Sequence, residues 1–264
     1  MQVVAALGMG AFFVVASLVA VRMLLLWRRT RGVPELCLGL SLLCIGPLGY
    51  SVMKLVLDLW PTNPNLAHAL SLPGTFMLAF GASLNAVFAW RVFRSQSAAA
   101  RVAALGLCGL ILALWLANQS LGLFNAKGAF TPFSYLNVSA RTIPLIWCTA
   151  EALVYWRRMV RRVALGLCDP LVASRVLLWG IGSGAGAAVV LASIAAMCSY
   201  NANSASVVPP GVELVLTVLG FVAAIAFWLA FLTPAFWKRW VQAGGGLIAR
   251  SPGACRRLDR ASRG

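Results

Sequence analysis

Hydrophobic positions in this chain come in long blocks, not in the alternation of a half-buried strand or the three-and-four spacing of a surface helix. Seven blocks can be read, near 3–27, 36–59, 68–90, 102–123, 132–155, 174–198 and 211–237. Each is long enough for a helix to cross a hydrocarbon core of about 30 Å. The short polar or basic connections leave no room for a soluble domain. The pattern predicts an all-α integral membrane protein. It is one seven-transmembrane helix bundle over residues 1–242, followed by a basic, flexible cytoplasmic tail over 243–264.

Composition agrees with the blocks. Hydrophobic residues make up 61% of the chain and charged residues only 11%, against roughly 25% charged in a soluble domain. The first block lacks the basic start and short apolar core of a secretory signal, so it is expected to remain as the first helix. Basic residues then orient the bundle. Of the 22 Lys and Arg residues, all but Lys54, Lys127 and Arg141 fall at one set of alternating block ends or in the tail. Positive charge favours the cytoplasmic side, which predicts the N-terminus outside, the C-terminus inside and a multi-pass protein of a cell membrane, plasma or inner. The net charge of +16 then orients the protein and meets anionic lipid headgroups. No nucleic-acid partner is expected, because no aromatic-interleaved basic surface lies outside the blocks.

Local chemistry marks the block starts and helix contacts. Pro34 with Glu35, and Asp169 with Pro170, place a proline and an acid where a helix begins. Gly180, Gly182, Gly184 and Gly186 give overlapping small-xxx-small spacings in the sixth block. They fit close packing inside the bundle, or a face for a homo-oligomer or another membrane protein. Phe236, Trp237, Trp240 and Val241 flank Lys238 and Arg239, a pattern for a short interfacial helix. The seven cysteines contain no CxxC and read as small packing residues.

Polar residues inside the blocks are where chemistry would lie. In the fifth block, Asn137, Arg141, Pro144, Cys148, Glu151 and Tyr155 are spaced 4, 3, 4, 3, 4 and share one helix face. Arg141 would sit roughly 13 Å deep at 1.5 Å per residue. Pro47, Ser51, Lys54 and Asp58 form a smaller stripe in the second block. His68, Asn118, Gln119 and Glu213 fall in the same outer half as Asn137 and Arg141, while Asn85 and Glu151 lie deeper as a candidate inner polar path. Two readings stay open. In one, Arg141 pairs with Asp58 or Glu213, Lys54 pairs with Asp58, and the amides bond helix to helix. In the other, these residues line a ligand cavity, with Arg141 or Lys54 binding an anionic group.

An enzyme is not expected. The single histidine cannot build a multi-histidine metal site, GxSxG, HExxH and P-loop motifs are absent, and no cofactor or metal is implied. In plan, seven spans with an outer N-terminus resemble microbial rhodopsins, G-protein-coupled receptors and the SWEET sugar transporters. Leu214–Leu232 lacks the lysine a retinal protein needs, and the Pro-Gln signature of SWEETs is absent. Thr233-Pro234-Ala235-Phe236-Trp237 resembles the Pro-xx-aromatic ending of a receptor's last helix, without its preceding Asn and its Tyr. The expected roles are a receptor-like sensor of a small ligand or membrane partner, a small transporter or channel, or an assembly subunit of a membrane complex.

Overall fold

The computed structural model describes residues 2–59, 62–121, 131–203 and 210–243. The expected tail therefore lies, apart from Ala243, outside the described residues. Among these residues the elements are all helical. They are α1 (Gln2–Thr30), α2 (Val33–Leu43), α3 (Ser51–Leu59), α4 (Pro64–Phe93), α5 (Ala98–Leu121), α6 (Pro132–Ala164), α7 (Pro170–Asn203), α8 (Pro210–Phe227) and α9 (Ala235–Gln242). A π-helical stretch, Cys44–Tyr50, joins α2 and α3 into one rod, and another, Trp228–Leu232, extends α8.

Helix starts are satisfied by side chains, as the orphan N–H groups of a first turn require. The Asn63 side chain accepts from Leu66 N at 3.1 Å, Thr131 from Ser134 N at 3.3 Å, and Asp169 from Leu171 N at 2.8 Å. A proline follows each cap, at positions 64, 132 and 170, where its missing N–H costs nothing. Pro47 falls inside the α2–α3 rod, and the wider π turn surrounds it. Near the other end of the chain, Pro234 disfavours a helical conformation in the preceding residue. Thr233 is accordingly left-handed, with φ 41°. The last apolar helix stops at Leu232, five residues short of the expected Trp237, and α9 starts afresh at Ala235.

Among the described residues six stretches are long and apolar enough to cross a membrane: Gly10–Thr30, Val33–Val56, Pro64–Phe93, Ala98–Ser120, Pro170–Cys198 and Gly211–Leu232. The chain is a polytopic helical membrane protein. The remaining expected span lies within α6, whose 33 residues extend about 50 Å at 1.5 Å per residue. Arg141, Glu151 and the arginines near its C-terminus lower its hydropathy. It is the polar member of the bundle, packed against α4, α5 and α7.

The rods close a ring: α1 packs on α2, α2 on α4, α4 on α5 and α6, α6 on α7, α7 on α8, and α8 back on α1. Apolar surface gains little from leaving lipid for protein, so close packing and interhelical hydrogen bonds must supply the cohesion. The α4 helix provides both. Its buried residues are mostly small, including Gly74, Ala79, Gly81, Ala82, Ser83, Ala86 and Ala89. At Gly81 the α2 backbone comes so near that an added Cβ would lie 3.1 Å from Ser41 O, with Ile45 Cγ1 at 2.7 Å. The Ser41 hydroxyl donates to Gly81 O at 2.8 Å. The glycines of α7 act similarly within the chain: Gly180 and Gly184 approach Ala152 and Thr149 of α6, and Gly182 approaches the Phe227 ring of α8. Trp179 then ties three helices, with ring centroids 5.1 Å from Phe88 and 5.4 Å from both Phe227 and Phe231.

These contacts predict opposite outcomes for two glycines. Gly81→Ala is expected to destabilise the protein by about 1–3 kcal/mol through overpacking. At Gly106 an added Cβ would meet nothing within 4 Å. Gly106→Ala is expected to stabilise by up to about 1 kcal/mol from helix propensity. Thermal unfolding of both variants in one detergent checks this; equal midpoints would show that the α2–α4 approach is not tight.

Candidate functional site

The α6 helix carries the site because its polar face turns into the bundle. Asn137, Pro144 and Cys148 are buried, and Arg141 is half-buried between them. The Arg141 Nε donates to Asn137 O at 3.3 Å, a bond within its own helix. From the π-helical stretch, the Tyr50 phenol lies near both the guanidinium and the Ser193 hydroxyl of α7, which itself donates to Val189 O at 2.8 Å. Four polar groups from three rods thus converge: Arg141 and Asn137, Tyr50, and Ser193.

The counter-charge is missing. Among the described residues no carboxylate pairs with Arg141; the two ion pairs lie elsewhere. Lys54 Nζ and Asp58 Oδ1 meet at 2.7 Å, with both side chains more than half exposed. Arg94 Nε meets Glu151 Oε1 at 2.9 Å, and the same oxygen accepts from Trp147 Nε1 at 3.3 Å. Of the structural alternative, the Lys54–Asp58 pair and the interhelical amide bonds are present, while the pairing of Arg141 with Asp58 or Glu213 is not found among the described residues. Lys54 sits one turn from Asp58 on the same helix, where i,i+4 geometry makes a local pair easy. Glu213 is half-buried in the first turn of α8, with its backbone carbonyl bonded to Thr217 Oγ1. An arginine at a helix centre in a bilayer costs roughly 2.5–3.5 kcal/mol on insertion scales. The Asn137 Nδ2 beside it is buried with no acceptor.

The other predicted residues separate into different places. Asn118 and Gln119 join a structural network between α4, α5 and α6. Asn118 Oδ1 accepts from Ser134 Oγ at 2.9 Å. Gln119 Nε2 and Trp115 Nε1 donate to Thr75 Oγ1 at 2.8 and 3.1 Å, while Thr75 donates to Ser71 O at 2.6 Å. His68 is exposed, with its backbone carbonyl bonded to Ser71 Oγ. Asn85 is buried beside Cys148, whose Sγ contacts Asn85 O at 3.7 Å. Glu151 closes its pair with Arg94. The residues expected to line one cavity therefore separate into the Arg141 cluster, the Thr75 network and the exposed Lys54–Asp58 pair, with His68 and Glu213 apart from all three.

Sequence reading missed Tyr50, Ser193, Thr75 and Trp115. For Tyr50 a signal existed: Pro47 between Gly46 and Gly49 marks where the hydrogen-bond ladder widens and the phase of the helix changes. Thr75 and Ser193 carry no such mark, because a lone hydroxyl in an apolar block usually bonds its own backbone, and Ser193 does bond Val189 O.

Comparison with protein-family models, curated proteins and solved structures finds no match to this chain.

Thr75→Val keeps the shape but removes the acceptor of two interhelical donors. A loss of about 1–2 kcal/mol is expected, within the range for stranding buried donors. Thermal unfolding beside the unmodified protein measures it, and an unchanged Thr75→Val midpoint would show that the network adds no cohesion.

Proposed function

We propose that this chain is a receptor-like, seven-span sensor with its N-terminus outside and its C-terminal end in the cytoplasm. It binds a small ligand in the polar interior around Arg141 and acts by binding, not by catalysis. The observation that carries the reading is the uncompensated guanidinium: a bundle charge with no carboxylate partner among the described residues. Asn137 Nδ2 and the Tyr50 phenol stand with it. A purely structural arginine would be expected to have its charge answered within the fold. One left open to a ligand is a binding group.

Orientation is supported by the alternation of basic ends, in which α6 counts as a membrane span despite its polar face. A sensor is favoured over a transporter by the packing below Arg141. Cys148 and Ala152 are fully buried, and they belong to the same core as Phe88, Trp179 and Phe227. Glu151 beyond them is held by Arg94. That column offers a sealed floor, whereas a transporter needs polar groups continuing toward the other side.

Two measurements test the proposal. Single cysteines placed at 141 and 148 in a background without native cysteines are expected to react with a membrane-impermeant maleimide from outside at 141 only. The native position 148 should stay unreactive from either side. Labelling at 148 would favour a through-path and the transporter reading. Separately, Arg141→Met is expected to leave the unliganded thermal midpoint unchanged or raise it, since a desolvated charge is removed without stranding an anion. A fall of several degrees would make Arg141 a structural residue and overturn the binding site.

A further inference from the structure

A second set of unsatisfied donors lies at the opposite end of α7, where no predicted site residue falls. Arg175 is five residues after the start of α7 at Pro170, about 8 Å along the axis, near the membrane boundary. Its Nη2 donates to Thr233 Oγ1 at 3.0 Å, but its Nε is buried with no acceptor. Thr233 is the left-handed residue that ends the last apolar helix. One turn further on, in α9, the Trp237 Nε1 is also buried and without an acceptor. Both α9 and the end of α8 pack on α7. Two donors that lack acceptors thus flank one junction.

The α9 helix adds the shape of a membrane-surface element. Phe236 and Trp240 are 53% and 47% exposed, although both are large and apolar. Lys238 and Arg239 between them are exposed and cationic, and Val241 is buried against the bundle. Trp237 and Trp240 stack at 4.8 Å between centroids. Apolar bulk beside cationic groups at the end of a membrane span suits the headgroup layer, where aromatic rings enter the acyl boundary and cations meet phosphate. A solvated protein partner would have to cover the same rings in a place the lipid already occupies.

We infer that the junction of α7, Thr233 and α9 is a binding site for the phosphate of an anionic phospholipid, with Arg175 and Trp237 as donors and Lys238 and Arg239 as the surrounding charge. A phosphate oxygen is the acceptor these donors lack, and guanidinium with phosphate is a strong charge-assisted pair. Phe236 and Trp240 hold the helix in the boundary beside the bound lipid. The inference is independent of the Arg141 site and holds whichever membrane face this end occupies.

The test is hydrogen–deuterium exchange of the 235–242 segment in the full chain, reconstituted in nanodiscs. Phosphatidylglycerol at 30% in phosphatidylcholine is expected to slow exchange of this segment at least tenfold relative to phosphatidylcholine alone. Arg175→Gln and Trp237→Phe should each cut that effect to under threefold. Trp237→Phe keeps an aromatic side chain while removing the N–H donor, and an unchanged thermal midpoint checks that this variant still folds. Lys238→Gln with Arg239→Gln should weaken the effect without abolishing it. Equal protection in pure phosphatidylcholine would mean that apolar burial or a zwitterionic headgroup suffices to hold α9, and would overturn the preference for an anionic lipid. A phosphatidylglycerol effect unchanged in Trp237→Phe would overturn the inference. Protection by inorganic phosphate added to phosphatidylcholine discs would assign the site to a free anion and also reject the lipid.

Discussion

The close approach of α2 and α4 at Gly81 is the constraint on which the rest of the bundle depends. In lipid, apolar side chains do not drive helices together as they do in water. A central helix must therefore offer contact area and hydrogen bonds at short range. The α4 helix does this with a run of Gly, Ala and Ser, and Ser41 reaches its backbone because no side chain stands at Gly81. Once α2 lies that near, the π-helical stretch that follows it carries Tyr50 toward α6. Once α4 is fixed, Thr75 can accept from two residues of α5. The small residues of α4 thus position the larger polar ones.

The polar groups then divide by whether the fold answers them. Thr75, Trp115, Gln119, Ser134 and Asn118 are satisfied across helices. Lys54 with Asp58, and Arg94 with Glu151, are satisfied as ion pairs. Arg141 has no carboxylate partner among the described residues, and Asn137 Nδ2, Arg175 Nε and the Trp237 indole are buried without an acceptor. A buried donor without an acceptor costs about 1–3 kcal/mol, so such groups are uncommon without a reason. Asn137 Nδ2 stands in the Arg141 cluster, and Arg175 Nε and Trp237 Nε1 stand by the α9 junction; the Trp90, Trp156 and Trp179 indoles and Glu35 Oε2 are also buried without partners.

The sequence made the helical, membrane-crossing character readable because a bilayer imposes one simple demand, a long apolar run. The face of α6 was readable too, since a 4, 3, 4, 3, 4 spacing can only be one side of a helix. Partner choice was not. Whether Arg141 met Asp58 depended on which helices were neighbours, and Lys54 sat one turn from Asp58 on the same rod. Tyr50 was obscured for another reason: the π turn shifts the phase on which helical-face reasoning rests. The break at Thr233 was legible in Pro234, but a continuous apolar run up to Phe231 and Leu232 outweighed it in the block boundaries.

The α7 helix gives the proposed sensor a physical route from one end to the other. Ser193 and Arg175 lie on the same continuous helix, 18 positions apart, or about 27 Å at 1.5 Å per residue. Between them, Trp179 locks α7 to Phe88 of α4 and to Phe227 and Phe231 of α8. Arg175 then holds Thr233, where α8 ends and α9 begins. A ligand that draws Arg141 and Tyr50 together would bear on Ser193, and a rigid helix pressed at one end must tilt or slide as a unit. Gly180, Gly182 and Gly184 determine how close its neighbours stand, so movement would be read where contact is tightest, at the aromatic cluster. The left-handed Thr233 marks the break between the two helices next to that cluster. The proposed reading therefore places the output at α9, whose hold on the membrane surface would change when α7 shifts.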